Sequence, residues 1–501
     1  MKKLNAHIVI IPLLLVALLA GLVLTFPTTS TNIISFLRQS ICNELTSYYL
    51  LFGLAMLGLL VYIAVSKRGD IKLGDEKPMN TLTWGSLIFT STMAADILFY
   101  SFHEWTYYYN QSMLLERRVE QSEKLLWSST YPLFHWGFIP WAFYLILAVC
   151  YAYMFYKKRV TRQNISEACR PVLGKQSDKF IGKAINVIAV IGLICGTSTT
   201  FSVATPLITS IICKVFSIDN TQIISVVTLL IIAVIYTFAV LVKNGINVVA
   251  KFTTLAFSFL LAMFFIFGNP RFILENGLQG LGNMLQNFLT LSTWTSPTRQ
   301  STFVQDWTIF YWAYWIAWCV ATPFFIAKIS KGRTIRQTIV GGMIAGLLGT
   351  FSSFIVFGGF GMHAQAKGMF DMAACIDSGM SAADTIVELI YTTTKSNASL
   401  IVVLITMIGL YASTFDALTD VISAFSYKRL NINSSASVRV KLFWALTFIV
   451  LPCALLFSDV ATQNLMSISI IAALPLTIIM ALVVASFIKD SKKNSHKTVY
   501  F

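Results

Sequence analysis

Apolar runs of roughly twenty residues, each closed by a short polar or basic stretch, recur along the whole chain. A helix needs about 20 mostly apolar residues to cross a bilayer. Twelve runs reach that length, at roughly 8–26, 48–65, 82–104, 131–156, 183–213, 222–242, 246–268, 306–328, 336–360, 397–424, 440–458 and 464–488. They lack the alternation of apolar and polar residues, in segments of about ten, that marks a membrane barrel. Two further segments read as helices that do not span. Gly280 to Leu291, inside an interfacial stretch at 276–292, is amphipathic and suits the membrane surface. Ala382 to Thr392 stands just before the tenth run. The pattern therefore predicts an all-α polytopic membrane protein with twelve transmembrane helices.

Composition agrees. Of 501 residues, 56% are hydrophobic and 12% charged, half the roughly 25% of soluble domains. A soluble multidomain enzyme and a disordered chain are both excluded. The net charge of +15 would suggest nucleic acid in a soluble protein. Here the basic residues read as topology signals. With both termini inside, the inner segments hold 28 of the 37 Lys and Arg and the outer loops hold nine. The loop at 157–183 alone carries eight, and the tail from Lys489 to Lys497 carries four lysines. Localisation in the inner (plasma) membrane with cytoplasmic termini is expected, with no nucleic-acid partner.

The start, Met1-Lys2-Lys3 and a run from Ile8 to Leu24, imitates a signal peptide but lacks a clean cleavage site, so it reads as the first span. The eight cysteines are scattered with no CxxC, and the five histidines are dispersed, so neither a disulfide framework nor a metal cluster is expected. The longest polar stretch, 107–129, with Glu116, Arg117, Arg118, Glu120, Glu123 and Lys124, reads as a solvated outer helix. No P-loop supports ATP-driven pumping, and no TVGYG-like filter supports a potassium channel. His103-Glu104 lacks the spacing of a zinc protease, and no nucleophile–base pair is readable, so no enzyme and no cofactor are expected. A solute sensor would need a signalling domain, for which the short ends leave no room.

The aromatic residues carry the chemistry. The run HWGFIPWAFY holds His135, Trp136, Trp141 and Tyr144; DWTIFYWAYWIAW holds Trp307, Trp312, Tyr314, Trp315 and Trp318. Interfacial belts need one or two Trp per helix end, and the second run has four Trp across three turns. Trp315 and Trp318 share a helix face, as do Trp141 and Tyr144. Convergent ring faces bind quaternary ammonium cations by cation–π attraction, worth about 2 kcal/mol when desolvated. Belt or packing roles remain open from spacing alone.

DWTIFYWAYWIAW followed by FFIAKISKGRTIRQ, with HWGFIPWAFY and FYSFHEWTYYY, resembles the betaine/choline/carnitine transporter family over about 80–490. The resemblance implies a LeuT-like core of two inverted five-helix repeats, at 80–270 (helices 3–7) and 303–488 (helices 8–12). Two peripheral helices would occupy 1–70, and a short basic tail 489–501. It implies secondary import of a quaternary ammonium solute by alternating access, choline first and glycine betaine or carnitine next, in a homotrimer within the lipid bilayer. It places Trp136, Trp141, Tyr144, Tyr314, Trp315 and Trp318 in the aromatic box and gate, with Tyr107 lining the site. Tyr314 is Trp in many members.

Family members often have a glycine-rich stretch on helix 3, where this chain has Thr92-Met93-Ala94-Ala95-Asp96. An acid within a span costs about 2.5–3.5 kcal/mol on insertion scales and needs a partner. Asp96 therefore reads as a substrate-site acid, as in choline-transporting, proton-coupled members, or as the partner of Lys251. Ser413 and Thr414 match the hydroxyl pair that holds sodium in sodium-coupled members, with the helix 3 carbonyls of Thr90 and Met93 opposite. The coupling ion is thus proton or sodium. The hydroxyl-rich stretch at 196–202 and Thr253, where carnitine exchangers place an arginine, complete the candidates. Glu104 reads as a hydrogen-bonding structural acid.

Overall fold

The computed structural model describes residues 3–109, 120–219, 222–242, 245–299, 301–432, 434–457 and 462–495. Of the outer helix expected at 107–129, Glu116, Arg117 and Arg118 fall outside these residues, as does Lys497 of the tail. Among the described residues the chain is almost wholly helical, and extended pairing is confined to two isolated bridges, Leu4 with Tyr427 and Lys72 with Thr334. Ten helices are long and apolar enough to cross a membrane, and two bent pairs bring the number to twelve. The twelve expected spans are all present.

The first spans are α1 (Ala6–Thr25) and α3 (Thr46–Val65), joined by α2 (Pro27–Glu44), a helix the hydropathy pattern misses because it is too polar to span. A bent pair follows, α4 (Thr81–Ser91) and α5 (Ala95–Tyr109), and then α6 (Gln121–His135) with α7 (Phe138–Ala152) as one span. Three continuous spans complete this half: α8 (Phe180–Phe216), α9 (Gln222–Leu241) and α10 (Gly245–Phe267). The amphipathic segment is longer than expected, α11 (Pro270–Gln286) and α12 (Phe288–Thr293). A second bent pair, α13 (Ile309–Trp318) and α14 (Thr322–Ile329), opens the other half. It is followed by α15 (Ile335–Ser353, continuing as a span to Ala366), α16 (Ala382–Thr394), α17 (Asn397–Phe425), α18 (Val438–Phe457) and α19 (Thr462–Ser495). Each half thus runs as one bent span and four others. An odd number of spans inverts the second half relative to the first, as inverted-repeat transporters require.

The two bends have different chemistry. The α4–α5 pair bends by 64° although its glycines are missing. Thr90, Ser91 and Thr92 take over: their hydroxyls donate to the carbonyls of Leu87 (3.2 Å), Ile88 (2.6 Å) and Phe89 (2.7 Å). Three successive back-bonded hydroxyls compete with the helical ladder and satisfy carbonyls that the break frees. The α13–α14 pair bends by 52°, and there Pro323 stands in the first turn of α14. Proline cannot donate a ladder hydrogen bond and turns the preceding residue away from helical geometry.

At the end carrying the basic loops, the segment before α4 is fastened to the loop between α14 and α15. Leu73 N–H donates to the Arg333 carbonyl (2.8 Å), and Gly332 N–H to that of Leu73 (2.6 Å). Gly332 has φ +78°, and a Cβ there would lie 2.3 Å from the Glu76 carbonyl oxygen, so only glycine fits. The Arg333 guanidinium lies 4.2 Å from the Trp84 ring centroid and donates to the Met79 carbonyl (2.8 Å). Trp84 in turn donates its indole N–H to Ser330 Oγ (3.1 Å). In the loop at 157–183, Arg170 and Arg162 flank Asp178 and hold its carboxyl well below the usual carboxylate range.

Candidate functional site

Both bends open onto one cavity of about 520 Å³, inside the roughly 300–1,000 Å³ of small-molecule sites. Thr92, Met93 and Ala94 line it from the first bend and Ala321 from the second. Trp136, Trp141, Tyr144, Tyr314, Trp315, Trp318 and Asp96 share its wall with Thr90, Met93, Ser413 and Thr414. Sequence positions more than 300 residues apart are thus brought together.

Trp315 is the hub of the aromatic wall. Its ring centroid lies 4.5 Å from Tyr144, 5.5 Å from Trp136 and 5.7 Å from Trp141. Tilted and edge-on contacts of this kind are the favoured geometry for aromatic pairs. Trp136 is held by Glu104, which is fully buried on α5 and accepts from Trp136 Nε1 (2.6 Å) and Tyr108 Oη (2.6 Å). His135 bonds Tyr108 through Nδ1 (2.9 Å) and Thr308 through Nε2 (3.0 Å). Glu104 thus sits behind the wall and orients one of its rings.

Gly346 on α15 backs the aromatic wall, a role that the sequence reading missed. A Cβ at this position would lie 2.5 Å from three atoms of the Trp141 indole, so the ring rests flat on bare backbone. The signal was present in the spacing of Gly342, Gly346 and Gly349 within GGMIAGLLGT, a small-residue stripe that lets another helix approach. Gly346→Ala is expected to displace Trp141 and weaken solute binding by about tenfold, with folding retained. Equilibrium binding of purified protein checks this, and unchanged affinity would remove Gly346 from the site.

Asp96 lies in the first turn of α5 and is 4% exposed. Its Oδ2 accepts from the Tyr314 hydroxyl in a short hydrogen bond, and Thr200 Oγ1 lies 3.5 Å away. Thr200 and Tyr314 also bond each other. Oδ1 has no hydrogen-bond partner. Lys251, the alternative partner, is exposed on α10 and makes no ion pair with Asp96. The acid at 96 and the tyrosine at 314, two residues at which the chain departs from the pattern it resembles, meet in one hydrogen bond.

Tyr107 does not line the cavity. It stands eleven residues beyond Asp96 on α5, about 16 Å along the axis. There it stacks on Trp307 with centroids 4.0 Å apart. With Tyr100, Phe310 and Tyr311 it belongs to an aromatic layer over that end of the cavity. At the opposite end the wall becomes charged. Lys328 pairs with Asp420 (2.8 Å), and Lys441 with Asp420 (3.2 Å) and Asp416 (3.5 Å).

Ser413 Oγ donates to the Leu410 carbonyl (2.9 Å), which leaves its lone pairs for a cation. Ser413, Thr414, Thr90 and Met93 all line the same cavity. Among the described residues no group of three or more His, Cys, Asp or Glu side chains is placed to hold a metal.

Residues 7–496 match the family model described as BCCT, betaine/carnitine/choline family transporter. The glycine betaine transporter OpuD of Bacillus subtilis is 30% identical over 93% of this chain and 90% of its own. A carnitine transporter of Acinetobacter baumannii is 25% identical, covering 94% and 86%. The high-affinity choline transport protein of Escherichia coli K12 is 27% identical, covering 90% and 66%. A solved Na+-coupled sialic acid symporter aligns over 91% of this chain at 13% identity and a TM-score of 0.44, too distant to bear on the site. The resemblance read from the aromatic runs holds across nearly the full length: this chain, a multi-pass membrane protein, belongs to the betaine/carnitine/choline transporter family and is a secondary transporter of quaternary ammonium compounds rather than an enzyme.

Proposed function

We propose that the protein imports choline, with Asp96 as the residue that selects it and a proton as the coupling ion. The observation that carries the choice of choline is a buried carboxylate in the wall of an aromatic cavity, free of any basic partner. Choline brings a cationic head and a neutral hydroxyl, so the carboxylate complements it. Glycine betaine brings its own carboxylate, which Asp96 repels. In this reading the aromatic box is Trp136, Trp141, Tyr144, Trp315 and Trp318, with Tyr314 as a gate residue and Tyr107 in the outer seal. Residues 80–270 and 303–488 are the two repeats that rock about the site, in the inner membrane, with cytoplasmic termini and as a homotrimer. The charged mouth at Lys328, Asp420 and Lys441 then faces the cytoplasm, and the cavity is open inward.

A second reading, sodium-coupled transport of glycine betaine, is supported by Ser413 and Thr414 on the cavity wall and by the 30% identity to OpuD. Uptake of labelled choline, glycine betaine and carnitine into proteoliposomes, with sodium and pH gradients imposed separately, tests both. Choline accumulation driven by an inward proton gradient without sodium is the expected result. Sodium-dependent accumulation of betaine, indifferent to pH, would replace the first reading by the second.

A further inference from the structure

Asp96, Tyr314 and Thr200 come from three different spans, α5, α13 and α8. The first two begin opposite halves of the molecule. Oδ2 of Asp96 accepts the Tyr314 proton, Thr200 bonds that hydroxyl from behind, and the side chain is 4% exposed in the wall of a cavity that holds a solute-sized volume. A hydroxyl donating to a carboxylate makes one of the stronger hydrogen bonds available in a dry interior. A substrate ammonium is attracted to the same carboxylate. A hydroxyl seated on Oδ2 offsets part of the carboxylate charge and holds the cation off that oxygen, so the two claims oppose each other.

The state of the cavity decides which claim wins here. The aromatic layer with Tyr107 on Trp307 covers one end, while the Lys328–Asp420–Lys441 end lines the cavity itself. In this structure the carboxylate is thus covered while the cavity wall runs on to the charged pairs.

We propose that Tyr314 is a built-in competitor of the substrate: its hydroxyl takes Asp96 as the halves come together and so releases the cation toward the charged mouth. The inference rests on Asp96 being the choline counter-ion. It gives a residue of the binding cavity a role against binding, and its removal has an unusual sign. Tyr314→Phe keeps the ring and loses only the competing oxygen. Choline should bind about tenfold more tightly or better, the scale of a hydrogen bond to a charged group. Maximal transport should fall by a similar factor because release slows. Thr200→Val should shift both quantities in the same direction by less.

Choline binding to the purified full-length protein, followed by scintillation proximity, and the transport rate in proteoliposomes give the two readouts. In an Asp96→Gly background, Tyr314→Phe should leave affinity unchanged, since nothing remains to compete for. Weaker or unchanged choline binding in both Tyr314→Phe and Thr200→Val overturns the proposal, as does equal tightening with and without Asp96. Should Asp96→Gly alone bind choline as tightly as the unaltered protein, it is the counter-ion reading that falls. Loss of choline in Asp96→Gly without tightening in Tyr314→Phe removes the competitor and leaves that reading standing.

Discussion

Asp96→Gly should invert the preference of this transporter, weakening choline and improving glycine betaine relative to it. Two carboxylates about 4 Å apart repel by roughly 4 kcal/mol at an effective dielectric of 20. At about 1.4 kcal/mol per tenfold, full relief is worth on the order of several hundredfold in relative affinity. The pH dependence carries its own sign. Choline binding uses the charged carboxylate and rises as pH rises through the titration of Asp96. Betaine binding is relieved by the neutral form and falls over the same interval. The glycine variant should lose both trends. Competition of choline against betaine at several pH values, in the variant and the unaltered protein, measures all of this together. Unaltered selectivity and pH response would leave Asp96 a structural acid held by Tyr314 and Thr200.

Trp315→Leu should lower solute affinity about thirtyfold. Leucine retains bulk but removes the π face, and one desolvated cation–π contact is worth about 2 kcal/mol. Trp315 touches three other rings of the wall, so its loss also loosens Trp136, Trp141 and Tyr144. Trp141→Leu should behave similarly. Direct binding of radiolabelled solute reports the effect; two variants with undiminished affinity would end the aromatic-cage account.

The spans were legible because hydropathy at a twenty-residue period is a strong signal, whereas Trp136, Trp141, Tyr144 and Trp315 stood out through the family pattern of their runs, belt or packing roles being left open by spacing alone. The bends were not readable in the same way. Helix 3 has no glycine at its bend, and the break comes from Thr90, Ser91 and Thr92, whose hydroxyls look like ordinary polar positions until their carbonyl partners are seen. Partnership across spans was hidden for a different reason. Thr200 belonged to a run of hydroxyls in α8 with several equal candidates, and only packing chose the one that reaches Asp96. Tyr107 shared a helix with the site but not a depth, since eleven residues of helix carry it into the aromatic layer. The charged mouth joins α14, α17 and α18, and no local spacing announces that Lys328 and Lys441 converge on Asp420.

The fastening of Arg333 to Trp84 bears on how faithfully the transporter keeps its account with the driving gradient. The short arm α4 is bound through its indole face, a serine and an extended backbone bridge to the loop that starts α15. An arm held at one end by three kinds of bond does not fray open by thermal motion alone. It departs only with the loop, or after the whole clasp lets go. The clasp thereby opposes chance opening of the cavity past this arm, and with it the passive escape of solute down its own gradient.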